Sequence, residues 1–424
     1  MTAAAAGTGP TRTTLLLQVF LPFAFAYFLS YIFRGVNAVI FPYLERDIGI
    51  TAADLGLLTS AFFLFFALIQ PLQGVALDRY GPRKVQTVLL LVAALGSALF
   101  GLCSSFAELI VARVLIGIGF AGGLMAAIKI FTLWYPPRQW GLVTGFHMMA
   151  GGAGSMAATL PVQWSLSMTS WQGLFFWLAG ICLATAVILF AVVPEHQPST
   201  GHRDSLREQF RVTGIVLTDG FYWRLQPLMA VQQLAFIGSI SLWIGPWLRD
   251  VGGIVDKDMR ADIQLSATAV MTLGFASSGV ITAFCRRFGV SNFTSVGVTS
   301  LLFALVCGWI AFLPPIHPLL PWALFGFLGA AVIQYLPVMV ASFPASYAGR
   351  VTTSSNLVVF LVIFAGQWGM GKVVDLWPRT AAGYAPEGYT WAFGALFILQ
   401  LAGLAWLLLS RGRPMARALP AAAD

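Results

Sequence analysis

Twelve long apolar runs follow one another along this chain of 424 residues, and their repetition restricts the fold more than any other feature. A helix needs about 20 apolar residues to cross the hydrocarbon core of a bilayer, which is close to the length of each run. Because backbone groups in lipid must be hydrogen-bonded within the protein, the runs predict an all-α membrane protein with twelve transmembrane helices. The runs lie near residues 15–43, 54–77, 84–104, 107–133, 140–165, 171–193, 225–248, 264–284, 292–313, 318–342, 349–373 and 388–410.

Composition excludes a water-soluble fold for most of the chain. Hydrophobic residues make up 58% of the sequence and charged residues 9%, whereas a soluble domain carries about 25% charged residues. The net charge of +8 is spread too thinly for a phosphate-binding face, so no nucleic-acid partner is expected. The four cysteines lie in apolar runs and no Cys/His cluster has metal-ligand spacing, so we predict no disulfide framework, metal or cofactor.

The distribution of Lys and Arg predicts the orientation in the membrane. Twelve spans place both termini on one side, where the connecting segments hold 15 of the 24 Lys and Arg residues; the segments on the other side hold 5. Basic segments favour the cytoplasmic side of a bilayer. We therefore expect a multi-pass protein of the cytoplasmic (inner) membrane with both termini in the cytoplasm.

The longest polar interruption divides the runs into two groups of six. Segments in the two halves match at a common offset of 208 residues, as the one beginning at Asp78 does with the one beginning at Arg286. The predicted divisions are a disordered N-terminus at 1–14, a six-helix bundle at 15–193, a cytoplasmic linker at 194–224, a second bundle at 225–410 and a tail at 411–424. Arginines recur every four residues in the linker, which fits either a helix on the membrane surface or a charged connecting segment.

A short charged loop between the second and third runs carries a specific pattern. Glycine, three apolar residues, Asp-Arg, one residue, glycine and a basic pair are spaced along Gly74, Asp78, Arg79, Gly81, Arg83 and Lys84. The pattern resembles the loop signature of the major facilitator superfamily, a large family of secondary transporters, although Pro82 stands where that family usually has a basic residue. A generic positive loop is the alternative, and it leaves the aspartate and the spaced glycines unexplained.

The resemblance implies two pseudo-symmetric six-helix bundles that rock about a substrate site between them. It also implies that Gly74, Asp78, Arg79, Gly81 and Arg83 belong to a gate, and that spans one, four, seven and ten line the cavity. Transferred by position in those spans, the resemblance nominates Tyr31, Arg34, Asn37, Arg113, Gln232, Ser239, Trp243, Gln334 and Tyr335 as substrate-binding residues. For isolated amides among them, a hydrogen bond between helices is the alternative.

Arg34 is the first candidate for a substrate contact. It lies near the middle of the first span, and its spacing from Tyr27, Tyr31 and Asn37 puts all four on one helix face. A buried cation needs a counter-charge, and the interior of the predicted spans contains no carboxylate, so a bound anion would supply that charge. Arginine binds carboxylates through two parallel hydrogen bonds. The alternative is an arginine that bonds to backbone carbonyls of a neighbouring helix.

Three further ionisable residues lie in predicted spans. Arg113 begins a segment with two spaced glycines that resembles the fourth-helix motif of the family, where the arginine serves gating or proton coupling; helix packing is the alternative. Lys129 lies further along the same span and either binds substrate or extends to the membrane surface. His147 is the single histidine inside a span, and it either carries a coupling proton or packs as a neutral side chain.

These features predict a secondary active transporter that moves a small organic anion by alternating access, with proton-coupled uptake. Arg34, Asn37, Pro42 and Leu44 also resemble the first helix of the organic anion:cation symporter branch, with Phe33 in place of that branch's aspartate. The alternative is efflux of amphipathic compounds by proton antiport, which the aromatic-rich interior permits and the lack of an intramembrane carboxylate disfavours. A receptor or scaffold would not explain the repeat.

Neither an enzyme nor an ATP-driven pump is expected. The sequence contains no nucleophile–base constellation and no Gly-x-x-x-x-Gly-Lys-[Ser/Thr] phosphate-binding loop. The expected partners are a small anionic substrate, a proton or other coupling ion, and the lipid bilayer, and the protein is expected to be a monomer.

Overall fold

The computed structural model describes residues 12–136, 139–195, 206–313, 317–344, 347–380 and 383–410. Most of the predicted N-terminal segment, the centre of the linker and the tail at 411–424 lie outside the described residues. The residues 12–195 and 206–410 are called the N half and the C half below.

The described chain is almost entirely helical. In the N half the helices are Arg12–Thr14, Leu15–Phe20, Leu21–Ile48, Ala52–Leu68, Gln70–Leu102, Phe106–Phe120, Gly123–Trp134, Trp140–Ala157, Leu160–Met168 and Trp171–Val192. In the C half they are Leu206–Thr218, Gly220–Gln233, Leu234–Trp243, Ile244–Asp250, Lys257–Arg287, Asn292–Phe312, Leu319–Ala331, Val332–Gln334, Tyr335–Val340, Ala348–Val374 and Pro386–Leu409. Leu15–Phe20 and Leu234–Trp243 are π-helical, and the strands Arg379–Thr380 and Gly383–Tyr384 form one antiparallel hairpin.

Many of these helices have the length and hydropathy of membrane spans. Within the described ranges, eight qualify on both criteria, or nine when Ala52–Leu68 and Gln70–Leu77, which meet at a bend of 42°, count as one span. Helices also cover the other three predicted runs, at Trp140–Met168, Lys257–Arg287 and Leu319–Val340. The predicted all-α membrane fold is confirmed, and the count of twelve spans stays a prediction.

Local sequence explains where several helices begin. Thr51 and Asp54 form a reciprocal capping box at the start of Ala52–Leu68, and Ser105 and Glu108 form another at the start of Phe106–Phe120. These two carboxylates, which flank predicted spans, therefore satisfy backbone N–H groups at helix ends. Gly81 has φ 80° and ψ 160°, a conformation open to glycine, and it breaks the path of Gln70–Leu102 where the sequence predicts a turn.

The two halves approach closely where Ala52–Leu68 packs against Ala348–Val374. A Cβ added to Gly56 would lie 2.6 Å from the carbonyl oxygen of Gln367, and one added to Gly371 would lie 2.6 Å from that of Ala52. Glycine at both positions therefore allows backbone-to-backbone contact between the halves, as small residues do in membrane helix pairs.

The bundle has two chemically different ends. The linker face holds the loop at 78–84 and Glu195, and the opposite face holds Glu45, Asp375 and the hairpin. On the opposite face the hairpin is bound by the buried carboxylate of Asp250, which accepts a hydrogen bond from the backbone N–H of Tyr384 at 3.2 Å. This arrangement fixes the connection between the last two long helices.

Candidate functional site

A cavity of about 210 Å³ lies between the two halves. The N half contributes polar side chains from Tyr27, Tyr31, Arg34, Gln70, Ser155 and Thr159. The C half contributes polar side chains from Gln233, Ser241, Gln264, Thr268, Thr352 and Asn356. Since both halves form its walls, a molecule bound here would contact both at once.

Arg34 is the one charged residue among the described residues that line this cavity. Its guanidinium carbon lies 4.5 Å from the ring centroid of Tyr31 and 4.9 Å from that of Phe66, so two aromatic faces hold it. Its Nε is buried without a hydrogen-bond acceptor among the described residues. The side chain is 8% exposed, which leaves a guanidinium in the cavity with hydrogen-bonding capacity to spare.

Arg113 has the opposite arrangement. It is fully buried, its Nη1 donates to the backbone carbonyl of Phe33 at 3.0 Å, and its guanidinium faces the ring of Phe62. With the Asn37 amide oxygen turned toward it, that oxygen accepts from the Nη2 of Arg113 at 2.9 Å and from the hydroxyl of Thr59 at 3.1 Å. Arg113 and Asn37 therefore connect helices, and the helix-packing interpretation of Arg113 fits this geometry.

A chain of side-chain contacts connects His147 to Arg34. The His147 ring is fully buried and stacks on Tyr27 with 4.3 Å between ring centroids. The Tyr27 hydroxyl lies 3.3 Å from that of Tyr31, whose ring packs against Arg34. Tyr27, Tyr31 and Arg34 thus share the cavity wall, as their helical spacing predicts, and His147 lies one ring behind that wall.

The nominated residues of the C half lie elsewhere. Gln232 and Tyr335 both bond to the Ser300 hydroxyl, at 3.0 and 2.7 Å, and so connect three helices inside the C half. Ser239 and Trp243 are buried but are not among the described cavity-lining residues. The placement expected from an α-helical stripe is corrected here because Leu234–Trp243 is π-helical, and its wider turns carry other side chains to the cavity.

Lys129 and Gln334 complete the set of nominated residues. Lys129 is half-buried in Gly123–Trp134, and Gln334 ends the short helix Val332–Gln334. Both make contacts in the structure, and neither is among the described residues of the cavity wall.

Three amides of the wall are absent from the set nominated on sequence. Gln70 follows the bend at Ile69, Gln264 lies on Lys257–Arg287, and Asn356 lies on Ala348–Val374. An amide beside Pro71 in an otherwise apolar run was the available signal for Gln70. Helical spacing places Asn356 and Gln367 on one face, but Gln367 donates to the Ser241 hydroxyl at 3.2 Å and is buried in the C half.

The charged loop on the linker face has a partner that the motif does not include. Glu195 pairs with Lys84, and its other carboxylate oxygen lies 3.9 Å from the Nη1 of Arg83. The hydrogen bond from Lys84 lowers the pKa of the Glu195 carboxyl below its ordinary value. Gly74 lies in the helix and Arg79 is exposed; the Asp78 side chain lies outside the part of the structure that is described.

No three His, Cys, Asp or Glu side chains of the described ranges come together as metal ligands. The arrangement offers instead one cation, several amides and several hydroxyls inside an otherwise apolar cavity. Its chemical capacity is noncovalent binding of a small molecule that carries negative charge.

Comparison with known proteins adds sequence relatives to this geometry. The sequence model of the Major Facilitator Superfamily matches residues 23–367. The chain is 32% identical over 185 residues to a probable sulfoacetate transporter of Cupriavidus necator, covering 43% of this chain and 42% of the relative. It is 31% identical over 266 residues to the hexuronate transporter of Bacillus subtilis, covering 61% of this chain and 62% of the relative. These matches therefore span between about two fifths and three fifths of the relatives' length.

Solved structures resemble the chain over nearly its whole length. A bacterial homologue of the human lysosomal transporter Spinster, in an inward-facing and unoccupied conformation, superimposes with a TM-score of 0.74 at 18% identity, covering 97% of this chain and all of that one. A D-xylose–proton symporter superimposes with a TM-score of 0.74 at 14% identity, covering 94% and 98%. At these identities the likeness shows the fold.

Proposed function

The chain belongs to the Major Facilitator Superfamily, and from this premise we propose that it is a secondary active transporter of a small organic anion. The observation that carries the proposal is the Arg34 guanidinium, which reaches the cavity between the halves with unused hydrogen-bond donors and no described carboxylate beside it. A bound anion would complete its coordination and neutralise its charge. Tyr27 and Tyr31 would contact the same ligand.

The relatives support this class of substrate. The two reported above are named for hexuronate and for sulfoacetate, both of which are organic anions. Family membership and these names also favour transport over catalysis.

Alternating access is the mechanism we propose. The described cavity wall includes Ile128 and Thr352, which lie within two helical turns of the linker face. The halves would rock so that the cavity opens to each side in turn, with residues 15–193 and 225–410 as the moving bundles and the loop at 74–84 as part of the gate. The excess of basic residues supports a linker face in the cytoplasm, in an inner membrane, and we propose a monomer as the working unit.

Proton-coupled uptake is the direction we propose. His147 is the candidate proton carrier because it contacts Arg34 through Tyr27 and Tyr31. An inward proton gradient should drive uptake by wild-type protein and should lose this effect in His147→Asn, while His147→Asn retains binding at equilibrium. Uptake that follows the gradient equally in both proteins would remove His147 from the proposal.

Binding to purified protein tests the substrate class. Ligands that bind the folded state raise the melting temperature, by an amount that grows with the ratio of concentration to Kd. We expect benzoate or glucuronate to stabilise the wild type, Arg34→Lys to retain part of the effect, and Arg34→Gln to abolish it. Arg46→Gln is the matched control, because Arg46 carries the same charge on the exposed end of the same helix.

Two outcomes would contradict the anion proposal. Stabilisation that is the same in Arg34→Gln and in the wild type would place the anion elsewhere. Stabilisation by tetraphenylphosphonium alone would favour the alternative, efflux of amphipathic compounds by proton antiport, and would reduce Arg34 to a packing residue.

A further inference from the structure

We infer that the preferred substrate is a monoanion with an apolar body, such as a branched or cyclic monocarboxylate, and not a polyhydroxylated sugar acid or a dianion. This inference rests on the proposed function, since it assumes that Arg34 holds an anion. It narrows that function by asking what the rest of the cavity can accept.

The first step is charge. Arg34 is the single fixed charge among the described residues of the wall, so it can neutralise one carboxylate. A second carboxylate in the same cavity would lie without a counter-ion in a medium of low dielectric constant. Burial of an unpaired charge costs several kcal/mol by general estimates, so a dianion should bind much more weakly than a monoanion.

The second step is the wall that faces Arg34. The helix Leu21–Ile48 packs against the π-helical segment Leu234–Trp243. From that segment and its neighbours the cavity receives a continuous apolar surface, formed by Phe236, Ile237, Ile240, Ile244, Met271 and Phe275. A ligand held by Arg34 at one end therefore meets branched aliphatic, aromatic and thioether groups at the other.

The third step is the hydrogen-bonding capacity of the lining hydroxyls. Thr268 donates to the carbonyl of Gln264 at 2.7 Å, Thr159 to that of Met156 at 2.6 Å, and Ser241 to that of Gly238 at 3.5 Å. These hydroxyls can still accept hydrogen bonds but have no proton left to donate. A sugar acid would bring four or more hydroxyls, and those facing the apolar wall would be buried without partners, at about 1–3 kcal/mol each.

The experiment compares probes of one size. Cyclohexanecarboxylate and glucuronate share a six-membered ring and one carboxylate, and they differ chiefly in the hydroxyl groups. Cyclohexane-1,4-dicarboxylate adds a second charge to the same ring, and cyclohexylammonium reverses the charge. Kd values are measured for wild type, Arg34→Gln, Ile240→Thr and Ile240→Val, the last being the control that shortens the side chain without adding a polar atom.

We expect cyclohexanecarboxylate to bind at least about tenfold more tightly than glucuronate or the dicarboxylate, with binding lost in Arg34→Gln. The ratio should narrow in Ile240→Thr and persist in Ile240→Val. If glucuronate or the dicarboxylate binds as tightly as cyclohexanecarboxylate and still requires Arg34, this inference falls while the transport of an anion stands. If neither carboxylate binds the folded protein, or cyclohexylammonium alone does, the inference and the proposed function fall together.

Discussion

The two faces of the bundle use charge differently. On the linker face, Glu195 pairs with Lys84, and both residues belong to the N half. On the opposite face, Arg379 of the C half pairs with Glu45 of the N half, and Asp375 of the C half accepts a hydrogen bond from the backbone N–H of Ala53 at 2.9 Å. One set of charges holds a single half together, whereas the other joins the two halves.

This difference indicates which face carries the closure described here. The cross-half contacts of the opposite face coincide with the glycine-mediated approach of Ala52–Leu68 to Ala348–Val374. Gln163 adds a further hydrogen bond across the halves, to the Asp258 carboxylate at 3.0 Å. Substitutions on this face should therefore change the distribution between conformations, and substitutions in the Glu195 pair should change local stability.

The largest effect is expected from Gly371→Ala. The new Cβ would lie 2.6 Å from the Ala52 carbonyl oxygen, and such overpacking costs about 1–3 kcal/mol. The melting temperature should fall, and a spin-label distance across the opposite face should lengthen. Gly369→Ala on the same helix is the control, because its Cβ would meet no atom within 4 Å while gaining the same helix propensity. Equal behaviour of the two variants would contradict the close-approach explanation.

A smaller effect is expected from Asp375→Asn. The Asp375 carboxylate lies at the N-terminus of Ala52–Leu68, where a negative charge contributes about 0.3–1 kcal/mol. Asp54 supports the same N-terminus from inside the N half, so Asp54→Asn is a matched control. Both variants should melt at lower temperature, but the distance across the opposite face should lengthen only in Asp375→Asn. A longer distance in both would show that helix stability, and not the cross-half bond, sets the closure.

Arg379→Gln should have a modest effect. Its side chain is 47% exposed, and partly exposed ion pairs contribute about 0–1 kcal/mol. A charge exchange, Arg379→Glu with Glu45→Arg, should restore the distance distribution that either single change shifts. Additive behaviour of the two single changes would indicate that the pair does not couple the halves.

The smallest effect, and a pH-dependent one, is expected from Glu195→Gln on the linker face. Because Lys84 holds the pKa of the Glu195 carboxyl below its unfolded value, the stabilisation is present above that unfolded value, about 4.3, and declines as pH falls through the lowered pKa. The melting temperatures of wild type and variant should differ slightly at pH 7 and converge in acid, with no change in distance across the opposite face. A difference that grows in acid would reverse the assigned sign.

Much of the fold could be predicted because lipid allows few alternatives. Long apolar runs must become helices there, and the loop signature, which resembles that of a transporter family, is confirmed by the family match. The shared wall position of Tyr31 and Arg34 follows from regular α-helical spacing in Leu21–Ile48.

What spacing could not predict is where the helices depart from regularity and where distant segments meet. The π-helical turns of Leu234–Trp243 move Ser239 and Trp243 off the wall, and the bend at Ile69 brings Gln70 onto it. Arg113 looks like Arg34 in the sequence, and only the nearby Phe33 carbonyl and the Asn37 amide distinguish the two environments. Glu195 lies more than a hundred residues from the loop it pairs with.

The π-helical segment also affects how this cavity could evolve. Each residue of an α-helix turns its neighbours by about 100°, so the loss of one codon within 234–243 that restores α geometry would rotate everything on one side of the deletion by that angle. Several wall residues, Ile237, Ile240 and Ile244 among them, would leave the cavity in a single genetic event. A point mutation exchanges one of these side chains at a time, whereas this segment allows the whole wall to be replaced at once.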